Sequence, residues 1–349
     1  MMKHSALAVL MMPLAGIVAL AQTPDVAQLQ PNQATSELAS EVGSKGWIVY
    51  SARTESSDWE LFLMRPDGSH RRNITNTPQW NEAAPRFSSD GKKLLYRRLE
   101  KGQTISHDRW GFQGQLVIAK SNGSNPVEFG KAGEFTWAMW SPDGRQVSCL
   151  SLRGIEVVDL ASKKVVRKLP RAGIFQQLSW SPDGTWFCGA ANVGGEEWTI
   201  VRMDATSGKT NVVSKYQNCT PDWFPDSRRI VFSNRPAGQG AYGWTQLWMA
   251  DTESKDRQLV YGEDGQHIYG GALSPDGKYV LFTRCPQDGG GSERDGAPGG
   301  LMRLSDAPTI AGESKALRKL HPDTKNGPVL SLPDCWEPHW TFADVGDTK

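Results

Sequence analysis

The chain has 349 residues and a formal net charge of +1, so it offers no global attraction for nucleic acid or for an anionic membrane surface. Its 36 glycines, 21 prolines and 14 tryptophans are typical of many tight turns between short strands whose sheets are packed by aromatic side chains. No long stretch with helical periodicity follows residue 21, and the composition therefore favours an all-β fold.

Residues 1–21 are typical of an export signal. A short polar start precedes an apolar run over residues 6–20, and Ala19-Leu20-Ala21 fits a cleavage site. An uncleaved membrane anchor is the alternative, although the apolar run is shorter than the about 20 residues that a span needs. We expect cleavage, a periplasmic or secreted protein without a transmembrane span, and a flexible polar leader over residues 22–45.

A five-residue phrase recurs along the rest of the chain. Its copies are Trp140–Gly144, Trp180–Gly184 and, in weaker form, Phe87–Gly91, Trp223–Ser227 and Leu273–Gly277. In Trp-Ser-Pro-Asp-Gly, the proline presets a turn, the aspartate caps it and the glycine takes the left-handed position that follows. Each phrase therefore predicts a hairpin, and we expect the aromatic residue before the turn to pack between neighbouring sheets.

The segments between the phrases complete a four-stranded unit. A strand-like run follows each phrase, and a second hairpin then holds a third strand and a short fourth strand, such as residues 61–64 and 72–75. Four strands in about 40 to 50 residues is the pattern of a propeller blade.

The two ends of the chain complement each other. Residues 47–75 supply the second, third and fourth strands of a blade without a first strand, whereas residues 337–340 match the first strands of the other repeats. We therefore expect the C-terminal strand to complete the N-terminal blade, which removes exposed sheet edges. The six repeat anchors are Phe87, Trp140, Trp180, Trp223, Leu273 and Trp340. They predict an all-β, six-bladed propeller over residues 46–343 with a tail at 344–349, and an insertion at 285–299 and 305–335 lengthens the last repeat.

The chain has five cysteines, so at least one is unpaired within a monomer. Cys149 and Cys188 occupy equivalent strands of neighbouring repeats, where a small buried residue fits, and no pair has the spacing of a zinc site. We expect most of the five to be free, buried packing residues.

This repeat resembles that of the TolB-type propellers, also called WD-repeat-like. Besides Trp-Ser-Pro-Asp-Gly, the resemblance includes Leu61-Phe62-Leu63-Met64, the Pro-Asp-Gly-Ser turn at 66–69 and Asn73-Ile74-Thr75. It implies a periplasmic six-bladed propeller that binds an outer-membrane peptidoglycan-associated lipoprotein. TolB proper also carries an α/β domain before its propeller, so this chain is similar to a stand-alone propeller, and no functional residue transfers from the family.

Candidate binding residues lie just before the anchors, where first strands begin and a propeller has its channel mouth. They are Arg86, Gln177, Asp222, His267, Tyr269, Glu337 and His339, and we expect Met139, Ser179 and Ala272 to line the same channel. Two histidines, two carboxylates and an arginine near one axis can bind a metal, an anion or a sugar. The alternative is a water-filled polar channel, which is common in this fold. Glu337 and His339 at i and i+2 share one face of a strand, but two residues do not make a metal site.

Three other segments have weaker signals. Residues 287–296 are acidic and glycine-rich, but they lack the EF-hand spacing and favour a mobile hairpin insertion over a calcium site. Residues 107–112 hold an aromatic pair that can stack on a sugar or peptide or pack on the blade rim. Residues 315–325 are basic without aromatic residues between the charges, so nucleic-acid binding is not expected.

Two functions are compatible with these features. No nucleophile elbow, zinc-protease motif or P-loop is present, which favours a non-enzymatic binding module with an envelope protein or glycan as partner and no cofactor or metal. The alternative is a polysaccharide lyase-like enzyme with a site at the channel mouth. In that case His267, His339 or Tyr269 would act as the base and Arg86 would neutralise a uronate.

Overall fold

Six four-stranded antiparallel sheets form the protein, each built in the order predicted for a propeller blade. The structure is a computed structural model that describes residues 33–103, 114–215, 217–234, 245–263, 265–286, 297–310 and 325–346. The signal predicted at 1–21 and the segments 107–112 and 287–296 lie outside these residues, as does nearly all of 315–325.

Strands are numbered along the chain, and blades from the N-terminus. Blade 1 contains β1 (Trp47–Arg53), β2 (Trp59–Met64), β3 (Arg72–Asn73) and β24 (Trp336–Thr341). Blade 2 contains β4 (Trp80–Phe87), β5 (Lys93–Glu100), β6 (Gln115–Lys120) and β7 (Val127–Phe129). Blade 3 contains β8 (Thr136–Trp140), β9 (Gln146–Ser151), β10 (Gly154–Asp159) and β11 (Val165–Leu169).

The second half of the ring repeats this order. Blade 4 contains β12 (Ile174–Trp180), β13 (Trp186–Val193), β14 (Glu196–Asp204) and β15 (Thr210–Ser214). Blade 5 contains β16 (Asn218–Trp223), β17 (Arg229–Asn234), β18 (Gln246–Asp251) and β19 (Arg257–Tyr261). Blade 6 contains β20 (Gln266–Leu273), β21 (Tyr279–Pro286), β22 (Pro298–Arg303) and β23 (Leu330–Asp334).

The C-terminal strand closes the ring as predicted. β24 pairs antiparallel with β1, and Ile48 lies opposite Trp340 in this pairing. Trp340 is 3% exposed, and its indole Nε1 donates a hydrogen bond of 2.6 Å to the Lys45 carbonyl. Closure therefore rests on the β1–β24 strand ladder and on the buried side chain of Trp340.

The repeated turn and its aromatic anchor also behave as predicted. The Asp143 carboxylate accepts hydrogen bonds from the Ser141 hydroxyl at 2.6 Å and the Arg145 N–H at 3.0 Å, and Gly144 has a φ of +67°. Trp140 lies between blades 2 and 3, where its indole donates to the Arg86 carbonyl at 3.0 Å. All five cysteines are buried thiols outside any disulfide, which confirms their predicted packing role.

Every first strand contains a β-bulge. In each blade the innermost strand has one more residue than its partner at the same place, as between Ala83 and Arg86 in blade 2. Within each bulge, the residue three positions before the anchor has left-handed φ: Ala84 (+52°), Trp137 (+47°), Gln177 (+57°), Thr220 (+52°), Gly270 (+68°) and Glu337 (+49°). Such a φ costs an L-residue about 1–2 kcal/mol, so five of the six blades carry local strain at one equivalent position.

Glycine substitutions at two neighbouring alanines test this strain. We expect Ala84→Gly to change stability little or to raise it by up to about 1 kcal/mol, because relief of the left-handed φ offsets the entropy that glycine loses. Ala83→Gly, at a fully buried position where the structure shows no positive φ, should cost about 1–2 kcal/mol. Urea unfolding measures both, and equal losses would contradict a strained bulge.

The leader predicted as flexible is in part a helix. Residues 33–42 form helix α1 (Gln33–Val42), and Leu38 and Val42 are fully buried against blades 1 and 6. The Glu41 carboxylate accepts a 2.8 Å hydrogen bond from Arg303 Nε and another from the Tyr279 hydroxyl. A contact face of two apolar residues gives too weak a periodicity to be read from so polar a segment.

The long last repeat also differs from its prediction. Residues 330–334, predicted as part of an insertion, form β23, the outer strand of blade 6. Residues 308–310 lie along the outer edge of blade 5, where the Leu259 N–H donates to the Ile310 carbonyl at 2.9 Å. In the part of the chain that the structure describes, no helix has the length and apolarity needed to cross a bilayer.

Candidate functional site

The residue just before each anchor faces the central channel. Arg86, Met139, Ser179, Asp222, Ala272 and His339 all line one cavity on the axis, as the sequence predicted. The six left-handed residues line its outer end, so each blade contributes one residue to an axial ring and one to a mouth ring. The mouth ring consists of Ala84, Trp137, Gln177, Thr220, Gly270 and Glu337.

The axial cavity has a volume of about 80 Å³, which accommodates several water molecules or a small polar group. A second, wider cavity of about 310 Å³ opens on the opposite face, among the Ser-Pro-Asp-Gly turns and their aromatic anchors. Met139, Ser179, Asp222 and His339 line both cavities. The axial ring therefore separates the mouth from the turn face.

Asp222 bonds two neighbouring blades together. Its Oδ1 accepts the Trp223 N–H and its Oδ2 accepts the Leu273 N–H of blade 6, each at 3.0 Å. Burial raises the pKa of the Asp222 carboxyl, while the N–H donors and the Arg86 charge oppose this rise. The innermost strands have N–H groups that no further strand pairs, and Asp222 satisfies two of them, one in its own blade and one in blade 6.

His339 has a similar bonding role between blades 1 and 2. Its Nδ1 accepts the Phe87 N–H at 3.2 Å, so the neutral ring carries its proton on Nε2. Burial, assisted by the Arg86 charge, lowers the pKa of His339 to about 3. An imidazole with this pKa and this bonding is poorly suited to the role of base that the lyase hypothesis gives it.

Arg86 provides the positive charge of the axial ring. Its Nη1 donates to the carbonyls of Pro85 at 2.8 Å and of Glu337 at 3.2 Å. Among the described residues, no carboxylate lies within ion-pair distance of this guanidinium, and its Nε and Nη2 donate to no protein acceptor. Half-buried in the channel, the charge is held in place by backbone carbonyls alone.

Gln177 connects three blades at the mouth. Its Oε1 accepts the Thr220 N–H of blade 5 at 2.5 Å, and its Nε2 donates to the Tyr269 hydroxyl of blade 6 at 3.1 Å. Tyr269 thus contacts the mouth ring without lining the axial cavity.

His267 does not belong to the cavity wall, contrary to the expectation from sequence. It is buried beside Tyr269, with the two rings stacked at 5.6 Å, and its Nδ1 lies 2.6 Å from the Thr245 hydroxyl. Of the seven candidates, the structure therefore brings Arg86, Gln177, Asp222, Glu337 and His339 around one cavity.

Glu337 and His339 do not share a regular strand face, because the bulge in β24 interrupts the alternation of side chains between them. Glu337 is nonetheless in the cavity wall and only 5% exposed. Burial lowers the pKa of the nearby Arg97 guanidinium to about 10, and the negative charge of Glu337 opposes this fall. The Arg97 Nη2 donates to the Thr136 hydroxyl at 2.6 Å, which fixes this cation within blades 2 and 3.

A buried acidic cluster between blades 1 and 2 was missed by the sequence reading. Glu60 and Glu82 are 1% and 0% exposed, and Thr77 bonds both: its N–H donates to Glu60 at 2.6 Å and its hydroxyl to Glu82 at 2.5 Å. Burial raises the pKa of both carboxyls, that of Glu82 to about 7, although Arg98 lies 3.2 Å from Glu82. The two residues are in different blades, and no spacing in the sequence relates them.

A metal site requires several ligating side chains that meet at one point. Within the ranges given above, no three His, Cys, Asp or Glu side chains meet in an arrangement that could hold a metal ion. Within those ranges, Glu337 and His339 are not part of such an arrangement.

Comparison with known proteins identifies the family. A family model described as the TolB beta propeller domain matches residues 44–293. The chain is similar in structure to TolB from Acinetobacter baumannii, with a TM-score of 0.61 and 17% identity over 85% of this chain and 67% of that chain. A TolB-type protein from Agrobacterium tumefaciens has a TM-score of 0.54 and 20% identity over 76% and 87%.

The fold is also found outside this family. A chain of the nidogen/laminin complex has a TM-score of 0.54 and 11% identity over 77% of this chain and 94% of that one. None of the curated proteins compared with the chain matches it. Because the family model covers most of the propeller, the chain belongs to the TolB beta propeller domain family.

Proposed function

We propose that this protein is an exported, non-enzymatic binding module of the cell envelope, which docks a protein partner on the channel-mouth face. The observation that carries this proposal is the mouth ring. Six equivalent backbone positions share one left-handed conformation but have six different residues, whereas the anchors and turns nearly repeat. A repeated scaffold with unlike side chains at one opening is the arrangement expected of a recognition surface.

Trp137 is the strongest contact candidate in this ring. It is the largest of the six side chains, partly exposed, and held by the bulge of β8 at the edge of the axial cavity. Tryptophans in such positions supply a large share of binding energy in protein interfaces. In the same ring, Gln177 adds an amide whose orientation two hydrogen bonds fix, and Glu337 adds a carboxyl group. Polar groups of this kind give selectivity more than affinity.

Capture from envelope extracts with three forms of the protein tests the proposal. Wild type and Val166→Ala, which alters a side chain 53% exposed on the outer strand of blade 3, should recover the same specific partner. Trp137→Ala should capture at least about tenfold less of this partner. Thermal unfolding confirms that the variant is folded. A partner captured equally well by Trp137→Ala, or no specific partner at all, would overturn docking at the mouth.

A further inference from the structure

We propose that the axial ring contains a seat for a single carboxylate group, formed by the Arg86 guanidinium and the Nε2–H of His339. This inference deepens the proposed function, on which it rests, by naming the chemical group of the partner that enters the channel. It starts from two donors on one cavity wall whose remaining N–H groups have no described protein acceptor.

The orientation of each donor is fixed by the backbone. Two carbonyls hold Arg86 through Nη1 and leave Nε and Nη2 for a ligand. The Phe87 N–H occupies Nδ1 of His339, so Nε2 of the neutral ring is a donor. Donors fixed before binding lose little freedom when a ligand arrives, which favours affinity for a small group.

Charge and size select the class of ligand. Arg86 contributes one positive charge and His339 is neutral, so the seat matches a monoanion. Asp222 is not itself the anion that pairs with Arg86, because its two oxygens accept the N–H groups of Trp223 and Leu273. A carboxylate and a phosphate would both face the acids Asp222 and Glu337 in the same wall. A phosphate dianion would carry more charge than Arg86 offers, and these acids would repel it more strongly than a carboxylate. A carboxylate fits both the charge and the cavity of about 80 Å³.

Nuclear magnetic resonance with small probes tests the seat without any protein partner. The probes are N-acetylglycine, which presents a chain-terminal carboxylate, N-acetylglutamic acid α-amide, which presents a side-chain carboxylate, and N-acetylglycinamide as the neutral control. The Trp140 indole N–H reports binding, because it donates to the Arg86 carbonyl. At least one acid should bind about tenfold or more tightly than the amide, and the tighter acid identifies the source of the carboxylate.

Two variants and one spectroscopic signature decide the outcome. Arg86→Met should weaken the acid by at least about tenfold, and Arg145→Met, which removes an exposed arginine from a turn outside the axial cavity, should leave it unchanged. Side-chain nitrogen shifts should show the His339 proton on Nε2. Equal binding of acid and amide to the wild type, unaltered binding by Arg86→Met, or a proton on Nδ1 overturns the seat. If Arg86→Met does not fold, the acid–amide comparison and the nitrogen shifts decide alone. If the probes do not bind as expected but partner capture still depends on Trp137, the seat is overturned and docking at the mouth is not. If the probes bind as expected but capture does not depend on Trp137, docking alone is overturned.

Discussion

Trp340→Ala is expected to lower the free energy of unfolding by about 3–5 kcal/mol, the range found when a large buried aromatic side chain is truncated. Trp340 is 3% exposed, lies 5.7 Å from the Tyr279 ring and bonds the Lys45 carbonyl. It thus packs at the one joint of the ring where two distant parts of the chain are paired. Urea denaturation followed by tryptophan fluorescence and circular dichroism measures the loss.

Phe342→Ala is the matched control. This ring is 41% exposed and lies 5.8 Å from Trp340, on the same segment of chain. Its removal should cost less than about 1 kcal/mol. Similar losses for the two variants would show that closure does not depend on the buried anchor.

Glu82→Gln is expected to flatten the pH dependence of stability. The folded-state pKa of Glu82, about 7, lies above the unfolded value of 4.5, so the unfolded state holds this proton less tightly. The stability that the protonated carboxyl contributes is present below pH 4.5 and is lost as the pH rises through 7. Glutamine cannot ionise. Between pH 5 and pH 8, the free energy of unfolding of the variant should therefore rise relative to that of the wild type by up to about 3 kcal/mol.

Denaturant unfolding at four or five pH values between 5 and 8 measures this gain. Glu55→Gln, which removes the same formal charge from an exposed position before β2, should follow the wild-type profile. Parallel profiles for Glu82→Gln and the wild type would mean that Glu82 is ionised in the folded protein throughout this range.

The repeat was sufficient to predict the ring because each blade obeys local rules. Turn residues and an aromatic anchor specify the hairpin, and the count of anchors gives the number of blades. The missing first strand of the N-terminal blade and the surplus strand at 337–340 predicted the closure that β1 and β24 make. The same counting placed Arg86, Asp222 and His339 on the axis, since they precede their anchors directly.

Other features of the site depend on contacts that no local rule encodes. The left-handed mouth residues include alanine, tryptophan, glutamine, threonine and glutamate, and only Gly270 shows the residue type that favours this φ. The bonding of Asp222 and His339 to backbone N–H groups requires knowledge of which strand lies beside which. The sequence could therefore predict that the channel is polar. It could not distinguish polar groups that bond neighbouring blades, such as Asp222, from groups without a described protein acceptor, such as the Arg86 Nη2.

Pairing of β1 with β24 also determines when the protein can finish folding. The bond from Trp340 to Lys45 joins positions 295 residues apart, so this contact has the high sequence separation that slows folding. During synthesis from the N-terminus, blade 1 has only three strands, and the inner edge of β1 stays unpaired until β24 has been made. That edge is open to pairing with other chains for as long as synthesis lasts. A chaperone that shields β1 would therefore act during this interval.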